Sequence, residues 1–119
     1  MNNIKKARLD QSRVVCVEGF FDKTLTPNLK ENKNLKIASL VHIDCDLYES
    51  AVPALRFITD LVETGTIIMF DDWNSFEADP ERGVRKACSE WLISNPHITL
   101  EDWHWYGAYG KSFMVKAEK

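Results

Sequence analysis

The chain has 119 residues, 45% of them hydrophobic and 28% charged, with 15 basic against 18 acidic residues and a net charge near -3. That length supports a moderate core burying roughly two-thirds of the surface an unfolded chain exposes, so residues 1–119 read as a single domain. The charge balance, without a stripe of Lys or Arg, excludes sequence-independent nucleic-acid binding, which works by replacing counterions; no run approaches the ~20 apolar residues of a membrane span.

The polar start MNNIKKARLDQSR lacks the apolar heart of a secretory signal. Arg13 to Phe21 (RVVCVEGFF) opens with a β-branched run and breaks at Gly19, the pattern of a buried strand entering a turn. Asp22 to Lys36 is polar, with Pro27 and three Asn, and reads mostly as loop with one helical turn. Ile37 to Asp44 (IASLVHID) is nearly apolar throughout, which suits a strand covered on both faces of a parallel sheet.

A helix is expected from about Ser50, its N-cap, to Val62, with Pro53 in the first turn and Ala51, Ala54, Leu55, Ile58, Leu61 and Val62 on one face. Gly65 stops it, and Thr66 to Phe70 (TIIMF) forms the next strand. A second helix is marked by Asp79 as N-cap and Pro80 as first helical residue. Its apolar face is Val84, Ala87, Cys88, Trp91 and Leu92, and Asn95-Pro96 ends it. Ile98 to Tyr106 and Ser112 to Lys116 flank a turn at Gly107 and Gly110 and are expected as an antiparallel pair. Strand–helix–strand order with apolar strands makes the fold α/β with a parallel sheet.

Cys16, Cys45 and Cys88 are far apart, form no CxxC pair and fall in apolar segments. They read as reduced, half-buried thiols of a cytoplasmic protein.

Two acidic clusters carry the chemistry. His42-Ile43-Asp44-Cys45-Asp46-Leu47-Tyr48 lies at the C-terminal end of one strand, and Asp71-Asp72-Trp73 at the end of the next. In an open parallel sheet the carboxyl ends of the strands are where ligands sit. Carboxylates gathered there repel one another unless a cation compensates, and an all-oxygen donor set suits Mg²⁺ or Ca²⁺ rather than zinc. Asp44 and Asp46, two apart in an extended segment, leave the same side. A lone DxD or DD is weak, since acidic residues also favour helix starts; two clusters at equivalent topological positions are stronger. His42 reads as a core residue of its strand. Tyr48 and Trp73 are candidates for a substrate pocket or for packing over the strand ends. Trp103, Trp105, Tyr106 and Tyr109 form an aromatic cluster that core, dimer surface or ligand explains equally.

The runs VHIDCDLYESAVPALRFI and GTIIMFDDW resemble the macrocin-type sugar O-methyltransferases, which methylate sugar hydroxyls of macrolide and aminocoumarin antibiotics. VEGFFDKTL, GVRKACSEWL and GKSFMVK resemble further segments of that family, so the likeness extends from about Val14 to Lys116. It implies a Rossmann-like methyltransferase sheet, S-adenosylmethionine as methyl donor, Mg²⁺ on Asp44, Asp71 and Asp72, and Asp46 as general base. The acceptor would be a sugar or other glycan hydroxyl.

The sequence departs from the family in one respect. Family members begin with two more strand–helix units and a glycine-rich loop, whereas here the five glycines are isolated and no GxG occurs. The expectation is the C-terminal part of a class I methyltransferase fold, missing its N-terminal donor-binding strands. The strand beginning near Ile37 would then expose an open edge, through which the chain forms a homo-oligomer or meets a chain supplying the missing half. Alone it would bind the donor poorly and show little activity. Competing readings are a non-catalytic relic or interaction module associating through that edge, a DxD-type metal-dependent glycosyltransferase and, more remotely, a two-metal hydrolase.

Overall fold

The computed structural model describes residues 7, 8 and 10–118. After a single 3-10 turn at Gln11–Arg13 come two short helices, α1 (Phe21–Thr24) and α2 (Pro27–Asn32). Then follow β1 (Leu40–Ile43), α3 (Tyr48–Ile58), β2 (Ile67–Phe70), α4 (Gly83–Ser94), β3 (Ile98–Tyr106) and β4 (Gly110–Ala117). The sheet order is β1-β2-β4-β3. β1 and β2 are parallel, with Leu40 opposite Ile67 and Ile43 opposite Phe70. β4 runs antiparallel to both β2 and β3. The α/β class and the antiparallel final pair are as the sequence indicates, but only one of the three strand pairings is parallel.

Both longer helices form because their apolar residues recur at helical spacing and have a place to go. Ala51, Ala54, Leu55 and Ile58 of α3, and Val84, Ala87, Cys88 and Trp91 of α4, are buried. They close over Ile43, Ile68, Phe70, Phe113 and Val115 of the sheet in one continuous cluster. Fully burying a side chain such as Leu55 is worth roughly 1.5–3 kcal/mol, and α3 and α4 also pack on each other. The Trp91 indole N–H donates to Thr59 Oγ1 at 2.9 Å, which satisfies the polar edge of a buried ring.

Four sequence expectations are corrected. The Arg13–Phe21 segment is not a strand: Val15, Val17, Phe20 and Phe21 are exposed, and β1 pairs only with β2. Apolar β-branched residues make a strand only where a neighbouring edge accepts their backbone hydrogen bonds, and this segment meets none. Instead Phe21–Thr24 forms α1 against α3.

Residues 22–36, expected as mostly loop with one helical turn, are more helical than that: the segment holds α2 and most of α1. Thr26 caps α2, its side chain accepting from Leu29 N–H, with Pro27 as first helical residue. Lys30 of α2 bridges to Asp60 at 2.5 Å and lies over the Phe57 ring, tying this segment to α3.

α3 begins at Tyr48 rather than Ser50, with Leu47 as N-cap, so Pro53 lies within the helix instead of its first turn. There it removes one backbone donor, whose partner would be the carbonyl four residues back.

α4 begins at Gly83, one turn later than expected. Asp79 does cap, but it caps a turn, accepting from Glu81 N–H at 2.9 Å. Phe76, Glu77 and Ala78 all have φ near +60° (59°, 59° and 61°). This left-handed stretch between the second acidic cluster and α4 is costly for non-glycine residues.

Among the described residues no helix is long and apolar enough to cross a membrane.

Candidate active site

The site follows from strand register. Ile43 and Phe70 end the two parallel strands side by side, and Asp71 N–H donates to Ile43 carbonyl at 3.1 Å, extending the pairing one residue further. The chain then leaves the sheet at both places, so Asp44-Cys45-Asp46 and Asp71-Asp72 emerge next to each other. This is the C-terminal edge of a parallel pair, where binding residues are expected.

Asp71 is the most engaged of the four carboxylates. Its Oδ1 accepts from the Tyr106 hydroxyl at 2.5 Å and lies 2.6 Å from His42 Nε2. Those two hydrogen bonds, Tyr106 first, hold its pKa below the usual carboxylate range, and the Asp44 side chain is also within hydrogen-bonding reach. Asp72 is shifted the other way: burial first, then the charges of Asp44, Asp46 and Asp71, push it up. Cys45, between the two aspartates of the first cluster, is pushed up to about 11 by burial and by Asp72, Asp46 and Asp44. Tyr106 is raised by burial and by its bond to Asp71. The carboxylates at the ends of β1 and β2 therefore lie close enough to feel one another's charge.

Asp44 and Asp46 are exposed, while Asp71 and Asp72 are half-buried. The Asp46 backbone is approached by the start of α4, where a Cβ on Gly83 would stand 3.2 Å from the Asp46 carbonyl oxygen.

Carboxylate oxygens are the kind of donor a hard divalent cation takes, but their chemistry is the only feature of this cluster that fits one. Among the described residues, no three His, Cys, Asp or Glu side chains are already arranged as a metal-binding group.

The two aromatic candidates are not brought together. Tyr48 donates to Glu90 at 2.5 Å across the α3–α4 groove and has Lys86 over its ring. It lines a cavity of about 510 Å³ between those helices. Trp73 packs between Phe70 and Phe113, with ring centroids at 5.1 and 4.8 Å, and has Arg85 over it. It borders a different hollow, with Pro80, Cys88 and Leu100.

Sequence reasoning undervalues two residues. His42 shares the side of Asp44 by its two-residue spacing and reads as core from the sequence, but it is exposed. Tyr106 is one of an aromatic cluster with no signal of its bond to Asp71, because only the sheet order brings the end of β3 to the end of β2.

The α/β sheet, with acidic clusters at the ends of its two parallel strands, is similar in fold to a solved methyltransferase. The solved apo structure of CalS11, a TDP-rhamnose 3'-O-methyltransferase of calicheamicin biosynthesis, is similar to it, with a TM-score of 0.58 and 21% identity. The match covers 82% of this chain and 40% of that one, so the chain spans less than half of its solved relative. No curated protein sequence matches the chain. Residues 1–104 match the macrocin O-methyltransferase (TylF) family, and the chain belongs to that family.

Proposed function

We propose that this chain forms the metal- and acceptor-binding part of an S-adenosylmethionine-dependent enzyme that methylates a sugar hydroxyl. The observation that carries the reading is the juxtaposition of Asp44 and Asp46 with Asp71 and Asp72 through the parallel β1–β2 register. Family membership supports the reaction class. The activity named for CalS11, methylation of a TDP-sugar, supports a sugar acceptor over other polyols.

Asp44, Asp71 and Asp72 would hold a divalent cation, Mg²⁺ by the hardness of their oxygens. Such a cation, when bound, supplies positive charge that orients and acidifies an acceptor hydroxyl. Asp46 stands beside these ligands, exposed and outside the hydrogen bonds that occupy Asp71, which leaves it free to act as the general base. It would take the proton of the acceptor hydroxyl, and the donor, when bound, would supply a sulfonium methyl group for that oxygen. Trp73, adjacent to Asp72, is better placed than Tyr48 to border the acceptor.

The sequence offers no GxG loop for the donor, and we infer that the donor-binding strands come from a further polypeptide segment set against the β1 edge. Free Cys16, Cys45 and Cys88 accord with a reducing compartment, and we place the protein in the cytoplasm.

Calorimetric titration with Mg²⁺, comparing the chain with an Asp44→Asn, Asp71→Asn double variant, tests the reading. Binding by the parent that the variant loses is the expected result. A folded parent that takes up no Mg²⁺ overturns the metal site.

A second reading, an interaction module, is favoured by one observation: β1 lies at the edge of the sheet with Leu40 and nearby Ile37 exposed. Oligomers in size-exclusion chromatography, unchanged by the carboxylate substitutions, would support it.

A further inference from the structure

We propose that Trp105 is a binding platform on which a sugar ring of the acceptor stacks through its C–H face. The inference rests on the reading of a sugar acceptor and deepens it. Trp105 belongs to β3, the edge strand opposite β1, and the residue is 61% exposed. Exposed as it is, the ring is held. The Lys111 ammonium lies 4.3 Å from its centroid, 4.9 Å from that of Phe113 and 3.2 Å from Asp102 Oδ1. One face of the indole is thereby covered by a lysine whose side chain is only 13% exposed. Among the described residues Trp105 stacks on no other ring. The segment inferred to complete the donor site lies against β1, at the other edge, and leaves this ring open.

The backbone is shaped to put the ring there. Asp102 lies opposite Phe113 and Trp105 opposite Lys111, so β3 advances three residues while β4 advances two. Side chains alternate along a strand; without the extra residue His104 would stand opposite Lys111 and Trp105 would leave by the other face. Ser112 closes the irregularity, its hydroxyl accepting from His104 N–H at 3.1 Å and donating to the His104 carbonyl at 3.0 Å. Ser112 is 4% exposed, so a buried hydroxyl is committed to this bulge. Bulges of this kind occur where a strand re-aims a side chain beside a site. Phe70, Lys111 and Trp105 stand in one row across β2, β4 and β3, which puts Trp105 on the order of 10 Å from the residue before Asp71. Trp73, which follows Asp72, packs on Phe113 at 4.8 Å and continues the row of rings toward the acidic strand ends. The π face of an indole is electron-rich and attracts the weakly positive C–H bonds of a pyranose. Asp102, its side chain 79% exposed, can accept from sugar hydroxyls beside the ring and repels phosphate or carboxylate. Lys111 is already paired with it, so the platform favours a neutral sugar ring over an anionic group. Because the ring is held before the ligand arrives, stacking loses little freedom.

The test follows the indole N–H resonances of the isotope-labelled chain as methyl α-rhamnopyranoside is added, with thymidine titrated in parallel. The Trp105 resonance is expected to shift with the glycoside, and that of Trp91, whose N–H is bonded to Thr59, to stay. Trp105→Ala, checked for fold by its melting curve, is expected to bind the glycoside about 2- to 10-fold more weakly. Trp105→Tyr, which keeps an aromatic face, is expected to recover most of that loss. Parent-like affinity in a folded Trp105→Ala overturns the inference. So does a Trp105 resonance that stays still under the glycoside, whether or not others move. A ring that answers to thymidine and not to the glycoside also overturns it, since the platform then takes a base. If Trp105→Ala does not fold, the Trp105 shift in the parent decides alone. The Mg²⁺ titration judges the reaction separately: a chain that binds Mg²⁺ and leaves Trp105 unmoved loses the platform and keeps the proposed function.

Discussion

The backbone N–H of Asp71 donates to the carbonyl of Ile43 at 3.1 Å, so the first residue beyond β2 is bonded to the last residue of β1. Two acidic clusters 27 residues apart in sequence, counted from Asp44 to Asp71, therefore share one end of the sheet. The bond is a backbone bond and survives changes to the carboxylates, so the site can be probed by substitution without unmaking its frame.

Asp72 is protonated more readily in the folded chain than in the unfolded one, because burial and then Asp44, Asp46 and Asp71 raise it. Between its ordinary and its raised pKa the folded state holds a proton that the unfolded state has released. Its contribution to stability therefore falls as pH rises through that window and stays low at neutral pH. Asp72→Asn, measured with chelator present, is expected to raise Tm at pH 7. Near pH 3 the advantage should vanish, because the carboxyl is then protonated in both states.

Asp71 has the opposite sign. Its bonds from Tyr106 and His42 lower its folded pKa, so the stability it contributes is complete above the ordinary carboxylate value and is lost as pH falls through the folded one. Asp71→Asn is expected to melt below the parent at pH 7 and to converge with it in acid. Melting curves across pH 2–7, a range reaching about two units below and about three above the ordinary carboxylate pKa, would show the two aspartate variants moving in opposite directions.

Removing the Thr59 hydroxyl leaves the indole N–H of Trp91 without its partner in a position only 6% exposed. Thr59→Val is expected to cost about 1–3 kcal/mol, the penalty of an unsatisfied buried donor. Urea titration would register this as a lower midpoint with an unchanged slope.

Gly83 opens α4 at φ 60°, and a Cβ there would meet the Phe76 ring at 2.9 Å as well as the Asp46 carbonyl. Gly83→Ala adds about 1–2 kcal/mol of left-handed strain and pushes against a ring that also carries Arg82, 4.4 Å from its centroid. The expected outcome is a lower urea midpoint, accompanied by displacement of the 76–78 segment that hydrogen–deuterium exchange would detect.

The three cysteines should separate by reactivity. Cys16 is exposed, Cys45 is half-buried and pushed up to about 11, and Cys88 is buried and pushed up to about 12. Since the thiolate is the reacting form, native alkylation read by mass spectrometry should label Cys16 first. Cys88 should follow only on unfolding.

Periodicity in the sequence was enough to locate the two packed helices, the strands at Ile67–Phe70 and Ile98–Tyr106, and both acidic clusters. Each of these is a local pattern with one physical solution: an apolar helical face must be buried, and a short apolar run bounded by turn residues is a strand. The helix starts were misread because Ser50 and Asp79 have the chemistry of N-caps, yet the actual starts depend on where the chain clears the sheet. α3 begins at Tyr48 behind an N-cap, Leu47, that makes no side-chain capping bond. Asp79 caps a turn that the left-handed residues 76–78 set apart from α4.

What the sequence determined by itself is the inventory: α/β elements, the apolar faces of two helices, and carboxylates at two strand ends. What only the tertiary structure decided is which of these meet. The Val14–Phe21 run has the composition of a strand but finds no edge to pair with, because strand formation requires a partner's backbone as well as a suitable side-chain pattern. Tyr106 reaches Asp71 only because β4 inserts between β2 and β3, an order set by long-range pairing that no local pattern encodes.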